Sequence, residues 1–479
     1  MRRIDIKIVN RTLVIVLSVL AIHACAPKLT VMDADPNIPE QFDQPQDSTN
    51  TADVQWRNYF TDPNLVALID TALANNQELN IFMQEIQIAR NEVREKKGEL
   101  LPTVNVGAGA GIDKVGRYTR NGALEATTDI EPGKEFPEPL PDFVVGAATT
   151  WEVDIWRKLR NAKKSAFTRY LASVEGRNFM VTNLIAEISN SYYELLALDN
   201  QLALVQQNIQ IQSDALEIVR LQKQASRVTE LAVRRFEAQV LDTRSLQYDI
   251  QQKIVETENE INFLLGRYPQ PIPRNAALFE SFVPDVVKTG VPSQLLENRP
   301  DIRQAGLDLE AAKLDIQVAK ARFYPSLGIT AGVGYQAFNP SHLLSTPESL
   351  AFSLTGDLIA PLVNRNAIKA MYYSANSAQI QAVYNYERTI LNAYIEVANL
   401  MSKSSNLQSS YDLRAQQVEA LNQSIEISNF LFRSARADYM EVLLTQREAL
   451  DSRFDLIETK MEQLHTWINI YKALGGGWE

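Results

Sequence analysis

The sequence predicts a mixed α and β membrane protein. Each chain should hold two repeats, and each repeat should combine two transmembrane β-strands with a long coiled-coil helical hairpin. Three observations predict this class: the chain repeats its own pattern, four segments alternate with period two, and two proline-free stretches carry heptads. A duplicated unit of this kind typically builds a symmetric scaffold and not a single active site.

The duplication is visible at two offsets. At an offset of 223, the matching pairs include Leu73 with Leu296, Asn75 with Asn298, Glu78 with Asp301 and Gly109 with Gly332. At an offset of 209 they include Asn183 with Asn392, Glu187 with Glu396, Ile188 with Val397 and Gly266 with Gly475. The change of 14 residues predicts a longer loop in the first copy. We therefore assign a first repeat to 56–270, a linker to 271–294 and a second repeat to 295–479.

The N-terminus is predicted to be a targeting segment. Residues 1–24 combine a basic start with an apolar core of ten residues, Leu13 to Ile22, which is too short to span a bilayer. The sequence Ile22-His23-Ala24-Cys25 resembles a bacterial lipobox, in which cleavage leaves a lipidated cysteine at Cys25. The alternative is an ordinary signal peptide with a chance cysteine. Residues 25–55 are polar and contain several prolines, which predicts a tether between the lipid and the folded body.

Composition argues against catalysis. Cys25 is the only cysteine and the three histidines are scattered, so neither an intrachain disulfide nor a cysteine-based zinc cluster is expected. No Ser/His/Asp set, metal-spaced ligand group or buried acid pair is recognisable, so we expect no enzyme and no cofactor beyond the lipid on Cys25. The formal net charge is −11, and −14 without the signal peptide, which argues against a nucleic-acid partner.

Period-two alternation predicts strands at about 103–113, 143–155, 326–335 and 351–362. In the first strand, Val104 and Val106 begin an apolar face, while Asn105 and Gly107 begin a small or polar one. About ten residues is the length that a membrane-spanning strand needs. The acidic side chains on the polar faces are candidates for lining a channel, although they could simply be solvated. They are Glu152, Asp154 and Asp357.

Helical hairpins are predicted at about 157–266 and 366–474. In the first hairpin, Ile188, Leu195, Leu202, Ile209 and Leu216 recur every seven residues, which indicates a coiled-coil interface. An outbound helix of about 65 residues would be about 100 Å long. Turns are expected near 225–229 and 434–438. Thr229 and Asp438 there are candidate N-caps of the returning helices, and Arg227 and Arg436 occupy equivalent positions at the two tips.

Four membrane strands cannot close a barrel, because unpaired backbone groups at open edges cost several kcal/mol each in hydrocarbon. Two chains would give eight strands and a filled barrel, and three would give twelve strands and a channel. The heptads alone would also fit a cytosolic coiled-coil scaffold, which the signal peptide and the strands oppose. The glycines of 107–111 are not flanked by the strand–loop–helix that a nucleotide site requires.

Five segments carry a resemblance to a known family. They are 56–63 (WRNYFTDP), 151–156 (WEVDIW), 264–267 (LLGR), 295–302 (LLENRPDI) and 471–478 (YKALGGGW). In this order they are similar to the TolC/OprM-like outer-membrane efflux proteins, in particular to the lipoprotein branch that serves RND-type pumps.

The resemblance implies a homotrimer with a 12-stranded outer-membrane β-barrel and a periplasmic α-helical barrel. It also implies a passive exit duct for small amphiphilic compounds, joined through a periplasmic membrane-fusion adaptor to an inner-membrane RND pump. A duct for type I protein secretion has the same architecture and is the alternative.

The resemblance also implies an acidic ring that narrows the tunnel near the tips. Asp438 matches that ring, and Thr229 is its counterpart in the first copy. Where Arg227 and Arg436 stand, and often where Arg157 stands, family members carry glycine. Ion pairs between the tip arginines and Asp438 are our hypothesis for how the ring closes.

Overall fold

The computed structural model describes residues 26–35, 38–42, 49–284, 287–363, 365–434 and 436–478. The predicted signal peptide and Cys25 lie outside the described residues. The described chain divides into two compact units. The first contains 26–33, 88–170 and 307–383, and the second contains the remainder.

The first unit contains a four-stranded antiparallel sheet. Its strands are β1 (Thr103–Asp113), β4 (Leu140–Val153), β5 (Ser326–Ala337) and β6 (Leu350–Ile359), in the spatial order β1-β4-β5-β6. The strand β1 matches its predicted range, β4 is shifted towards the N-terminus, β5 ends two residues later than predicted, and β6 ends three residues earlier. A two-stranded ribbon of β2 (Asp129–Glu131) and β3 (Lys134–Glu135) lies in the loop between β1 and β4.

The register of the sheet confirms the predicted duplication. Gly109 pairs with Val144 in the first hairpin, and Gly332 pairs with Ser353 in the second. These two pairs are related by offsets of 223 and 209, the values found in the sequence. The loop between β1 and β4 has 26 residues and the loop between β5 and β6 has 12, so their difference equals the 14-residue change of offset. The longer loop is folded, since Glu138 accepts from Arg117 at 2.7 Å and Glu131 lies 3.2 Å from His342.

Seven helices are long enough to label. They are α1 (Pro63–Asn75), α2 (Gln77–Gly98), α3 (Lys158–Gln224), α4 (Glu230–Leu264), α5 (Pro300–Ala321), α6 (Asn366–Arg433) and α7 (Tyr439–Ala473). Short α-helices cover Trp56–Tyr59, Arg120–Glu125, Ala277–Ser281 and Leu295–Asn298, and 3-10 turns cover Thr51–Asp53, Pro292–Gln294 and Pro340–His342. The 67 residues of α3 confirm the predicted long outbound helix. No helix within the described ranges has the length and apolarity needed to cross a bilayer.

The predicted coiled-coil residues are buried in the second unit. Ile188 and Leu195 are fully buried, and Val205 packs against Ile250 of α4. The polar residue Gln212, which interrupts the apolar stripe, is also buried and accepts a 2.8 Å hydrogen bond from the Thr243 hydroxyl. A polar pair therefore takes one layer of the interface between the two arms.

Both repeats end in the same helix-stop geometry. Gly266 and Gly475 have φ of 67° and 94°, and the amide of the next residue donates to a carbonyl five residues back. This is a Schellman motif, in which glycine provides the left-handed residue. A Cβ at Gly266 would lie 2.6 Å from the carbonyl oxygen of Asn75, and a Cβ at Gly475 would lie 2.5 Å from that of Asn298. The duplicated glycines are therefore required both by backbone conformation and by close packing.

The predicted tether needs correction, because its described residues pack against the protein. In the first unit, Leu29 packs on the cluster that contains Phe323 and Tyr372. The fully buried side chain of Gln379 donates to Met32 O at 2.6 Å and accepts from Met32 N at 3.3 Å. In the second unit, Phe42 stacks on Tyr394 at 5.4 Å between ring centroids. The polar, proline-containing composition hid this segment because backbone hydrogen bonding and two apolar side chains suffice to dock it.

Candidate channel-lining surface and hairpin tips

The sheet separates two kinds of side chain onto two faces, because directly paired residues point to the same side. One face carries Val104, Val106, Phe143, Val145, Ala147, Trp151, Leu327, Ile329, Val333, Tyr335, Phe352, Leu354 and Leu358. The opposite face carries Thr103, Asn105, Gly107, Gly109, Gly111, Gly146, Ala148, Thr150, Gly328, Thr330, Gly332, Gly334, Gln336, Ser353 and Thr355. All four strands therefore agree on one apolar face and one small or polar face.

Two of the three predicted acidic residues lie in one row of the polar face. Glu152 of β4 pairs with Gly328 of β5, and Gly328 pairs with Asp357 of β6. Two strand spacings separate these carboxylates, roughly 10 Å. Asp357 is exposed, and Glu152 forms an ion pair with Lys158 at the start of α3. The structure thus brings together two side chains that are 205 positions apart in the sequence.

Asp154, the third candidate, lies beyond the end of β4, so its placement on the strand was wrong. Its carboxylate accepts from the backbone amides of Leu159 at 3.0 Å and Arg160 at 2.9 Å. The side chain is only 7% exposed. Asp154 therefore satisfies amides at the start of α3, where the helix dipole also favours a negative charge.

Arg157 adopts a backbone conformation that the sequence did not reveal. Its φ is 60°, in the left-handed region that favours glycine, and it immediately precedes α3. The glycine expected here from the resemblance therefore has a conformational explanation.

The tip of the first hairpin is a helix stop followed by a capped helix start. The amide of Arg227 donates to Gln222 O at 2.9 Å, and Ser226 has φ 55°. The left-handed residue of this Schellman motif is thus Ser226, one position before Arg227. The Thr229 hydroxyl accepts from Ala232 N at 3.4 Å, which confirms the predicted N-cap. Lys223 hydrogen-bonds Glu230 and holds the pKa of that carboxyl below its ordinary value.

The tip of the second hairpin repeats the stop and changes the start. Arg436 N donates to Leu431 O at 2.9 Å, as Arg227 N does to Gln222 O. Asp438 has an extended backbone and occupies the N-cap position of α7, but its side chain makes no capping hydrogen bond. The prediction that Asp438 caps through its carboxylate was therefore wrong.

The charged tip residues face solvent in the single chain. Arg227, Arg436 and Asp438 are all exposed, and within the described part of the chain neither arginine forms an ion pair. Beneath the tips, Phe236 and Val233 pack with Leu443 of α7. The tips thus have an apolar base and present charged groups outward.

A buried ionic site at Arg299 was not singled out from the sequence, although it lies in the LLENRPDI segment. Its guanidinium donates to Asp301 at 3.0 and 2.8 Å, to Glu396 at 2.8 Å and to Ala473 O at 2.8 Å. In the first repeat Asn76 occupies the equivalent position and donates to Leu264 O at 2.9 Å. The duplication was the available signal, since Asn76 and Arg299 are 223 residues apart.

The family model for outer membrane efflux proteins matches residues 68–267 and 291–476. The chain belongs to the outer membrane efflux protein family. The two matched segments cover most of both repeats, and this family resides in the bacterial outer membrane. The resemblance seen in the sequence is thereby confirmed, and the family is one of channel proteins and not of enzymes.

Similar proteins include members named for efflux. The toluene efflux pump outer membrane protein TtgI of Pseudomonas putida is 27% identical over 434 residues, covering 90% of this chain and 89% of that protein. The probable outer membrane lipoprotein SilC of Salmonella typhimurium is 25% identical over 446 residues, covering 92% and 93%. The crystal structure of the open state of the MtrE outer membrane channel of Neisseria gonorrhoeae superposes with a TM-score of 0.82 at 22% identity, covering 95% and 99%. The last likeness concerns the fold.

Proposed function

We propose that this chain forms the outer-membrane duct of a tripartite efflux pump, through which small amphiphilic compounds pass passively. The observation that carries the proposal is the four-stranded sheet with one apolar and one small or polar face. An apolar face suits lipid, and a face rich in glycine, threonine and serine suits a water-filled lumen. Efflux is favoured over protein secretion because a relative of nearly the same length is named for toluene efflux.

The proposed assembly is a homotrimer. The outer strands β1 and β6 are exposed along their whole length in a single chain, while β4 and β5 are mostly half-buried. Open strand edges are not tolerated in hydrocarbon, so further copies must pair with both edges. Three copies give twelve strands, enough to leave a channel, whereas eight strands are filled by their own side chains.

The partners and the anchor belong to the same proposal. A periplasmic membrane-fusion adaptor would contact the exposed tips, and an inner-membrane RND pump would supply the driving force. Cys25 would carry the lipid, which the docked residues after Ala26 would hold beside the first unit. The relative SilC is named a lipoprotein, which agrees with this anchor.

The test of the duct is particle imaging followed by conductance. The purified full-length protein in detergent should give three-fold particles, and it should conduct ions in planar bilayers. Monomeric particles without conductance would contradict the proposal. Glu152→Gln with Asp357→Asn should reduce the cation preference of the open channel, because these carboxylates lie on the face assigned to the lumen.

The tip residues are proposed to form the resting gate, with Asp438 in the constriction and Arg227, Thr229 and Arg436 around it. Ion pairing between Arg436 and Asp438 of adjacent copies would hold the closed state. Arg436→Glu should therefore raise passive leakage of a small dye across the outer membrane. Arg433→Glu, an exposed change at the end of α6, is the matched control. Equal leakage in the two variants would refute the gate.

A further inference from the structure

We infer the residue register of the subunit interface: β6 and α6 of one copy contact β1 and α2 of the next, with Ser374 hydrogen-bonded to Glu92. This inference rests on the proposed duct and deepens it. The reasoning uses the interface that the chain makes between its own repeats, formed by β4 with β5 and by α3 with α5. We call this the internal interface.

The internal interface joins the end of the first repeat to the start of the second. In the sheet, Thr149 pairs with Ala331 and Ala148 pairs with Gly332. In the helices, the Ser165 hydroxyl donates to Asp315 at 2.7 Å, and Asn161 donates to Gln317 at 3.0 Å. All of these residues lie in the first unit.

The duplication transfers these contacts to the two open edges. A residue of β4 or α3 corresponds to one 209 positions later, and a residue of β5 or α5 to one 223 positions earlier. The pair Thr149 and Ala331 therefore predicts Leu358 beside Ala108 of a second copy. Likewise, Ala148 and Gly332 predict Asp357 beside Gly109 of a second copy.

The transferred register keeps the faces of the sheet in agreement. Leu358 and Ala108 both lie on the apolar face, and Asp357 and Gly109 both lie on the small or polar face. A slip by one residue would place apolar side chains of one copy beside polar side chains of the next along the whole edge. The sequence offsets and the two-faced pattern are independent observations, and they select the same register.

The helical part of the internal interface transfers with its chemistry. Ser165 corresponds to Ser374, and Asp315 corresponds to Glu92, so a hydroxyl and a carboxylate stand at both places. Arg169, which forms an ion pair with Asp315, corresponds to Ala378. The contact between subunits is thus a hydroxyl–carboxylate hydrogen bond without that arginine.

Burial in the single chain indicates which surfaces still need a partner. Ser165 is 1% exposed and Ala311, whose carbonyl also accepts from Ser165, is fully buried. Their counterparts Ser374 and Ile88 are both exposed, Ile88 to 68%. A helix face that is buried in one repeat and bare in the other is explained by a second copy that supplies the missing helix.

Cysteine cross-linking tests the register in the full-length protein embedded in outer membranes. The variants E92C/S374C and L358C/A108C place one cysteine on each side of the inferred interface. Under oxidation we expect a ladder of covalent dimers and trimers, at least ten times stronger than in the four single variants. All variants retain Cys25, so the single variants measure its background.

A matched control tests the helical register. In E92C/Q381C the second cysteine lies two helical turns from position 374, on the same face and roughly 10 Å away, beyond the Cα separation that a disulfide bridges. It should cross-link at the level of the single variants.

The outcomes separate this inference from the proposed function. Three-fold particles without cross-links in either designed pair, or with E92C/Q381C as reactive as E92C/S374C, would overturn the register and leave the duct intact. Absence of three-fold particles would overturn both.

Discussion

Replacing Arg299 should destabilise one end of the second repeat far more than the matching change destabilises the first. The Arg299 side chain is only 8% exposed and contacts two carboxylates and the carbonyl oxygen of Ala473. Asn76 makes the equivalent carbonyl contact in the first repeat, and its own side-chain oxygen accepts from Leu79 N at 2.9 Å. The two repeats thus solve one packing problem with a cation and with a neutral amide.

The expected magnitudes follow from this difference. Arg299→Met leaves Asp301 and Glu396 without their shared counter-ion, and removing one partner of a buried ion pair costs about 3–5 kcal/mol. Asn76→Ala removes two neutral hydrogen bonds, at about 1 kcal/mol each. The charged position should therefore be the more sensitive by about 1–3 kcal/mol.

Hydrogen exchange measured by mass spectrometry on the full-length protein is the suitable assay, because it reports local opening. In Arg299→Met, peptides covering 295–302 and 470–476 should exchange about two to three orders of magnitude faster, since 1.36 kcal/mol corresponds to tenfold. Peptides covering 73–79 should change little. Adding Asp301→Asn and Glu396→Gln should recover much of the loss, because it removes the unpaired charges. An effect no larger than that of Asn76→Ala would refute the reasoning.

Three further predictions concern other sites. Arg157→Gly should raise the apparent Tm by about 1–3 °C by relieving a left-handed backbone worth about 1 kcal/mol, whereas Lys163→Gly inside α3 should lower it; a lower Tm for both would contradict this. Burial and the nearby Glu260 raise the pKa of Glu194. Glu194→Gln should therefore raise the Tm at pH 7.5, with a gain that shrinks as the pH falls and vanishes near about pH 4, where the carboxyl is protonated both folded and unfolded. A gain that persists at that pH would count against it. Gln379→Leu should speed proteolysis within 26–35 roughly tenfold by releasing Met32, and unchanged cleavage relative to Gln381→Leu would count against the docked segment.

Much of the sheet and most of the helices could be predicted from the sequence because their signals are periodic and local. The alternation from Thr103 to Ile112 predicts β1 and both of its faces, and the heptads predict the buried residues of α3 and α4. The two offsets even contain the strand register, since Gly109 with Val144 and Gly332 with Ser353 are the same pair repeated. The Thr229 cap was predictable for the same reason, because a cap acts on its own neighbours.

The errors occur where distant groups compete for one side chain. Asp154 continues the alternating pattern, but the amides at the start of α3 bind its carboxylate and end the strand before it. Asp438 has the residue type of a cap, yet its carboxylate does not turn back to the helix. The segment before residue 36 has a linker-like composition, and only the buried Gln379, 347 positions away, makes it a docked segment.

By itself, the sequence determined the repeat, the period of each element and the separation of apolar from polar faces, because these follow from residue spacing along one backbone. Only the tertiary structure decided which carboxylates share a row across β4, β5 and β6, and which helix face remains bare in a single chain. Those properties depend on contacts between residues hundreds of positions apart, and spacing along the chain does not encode such contacts except where the protein repeats itself.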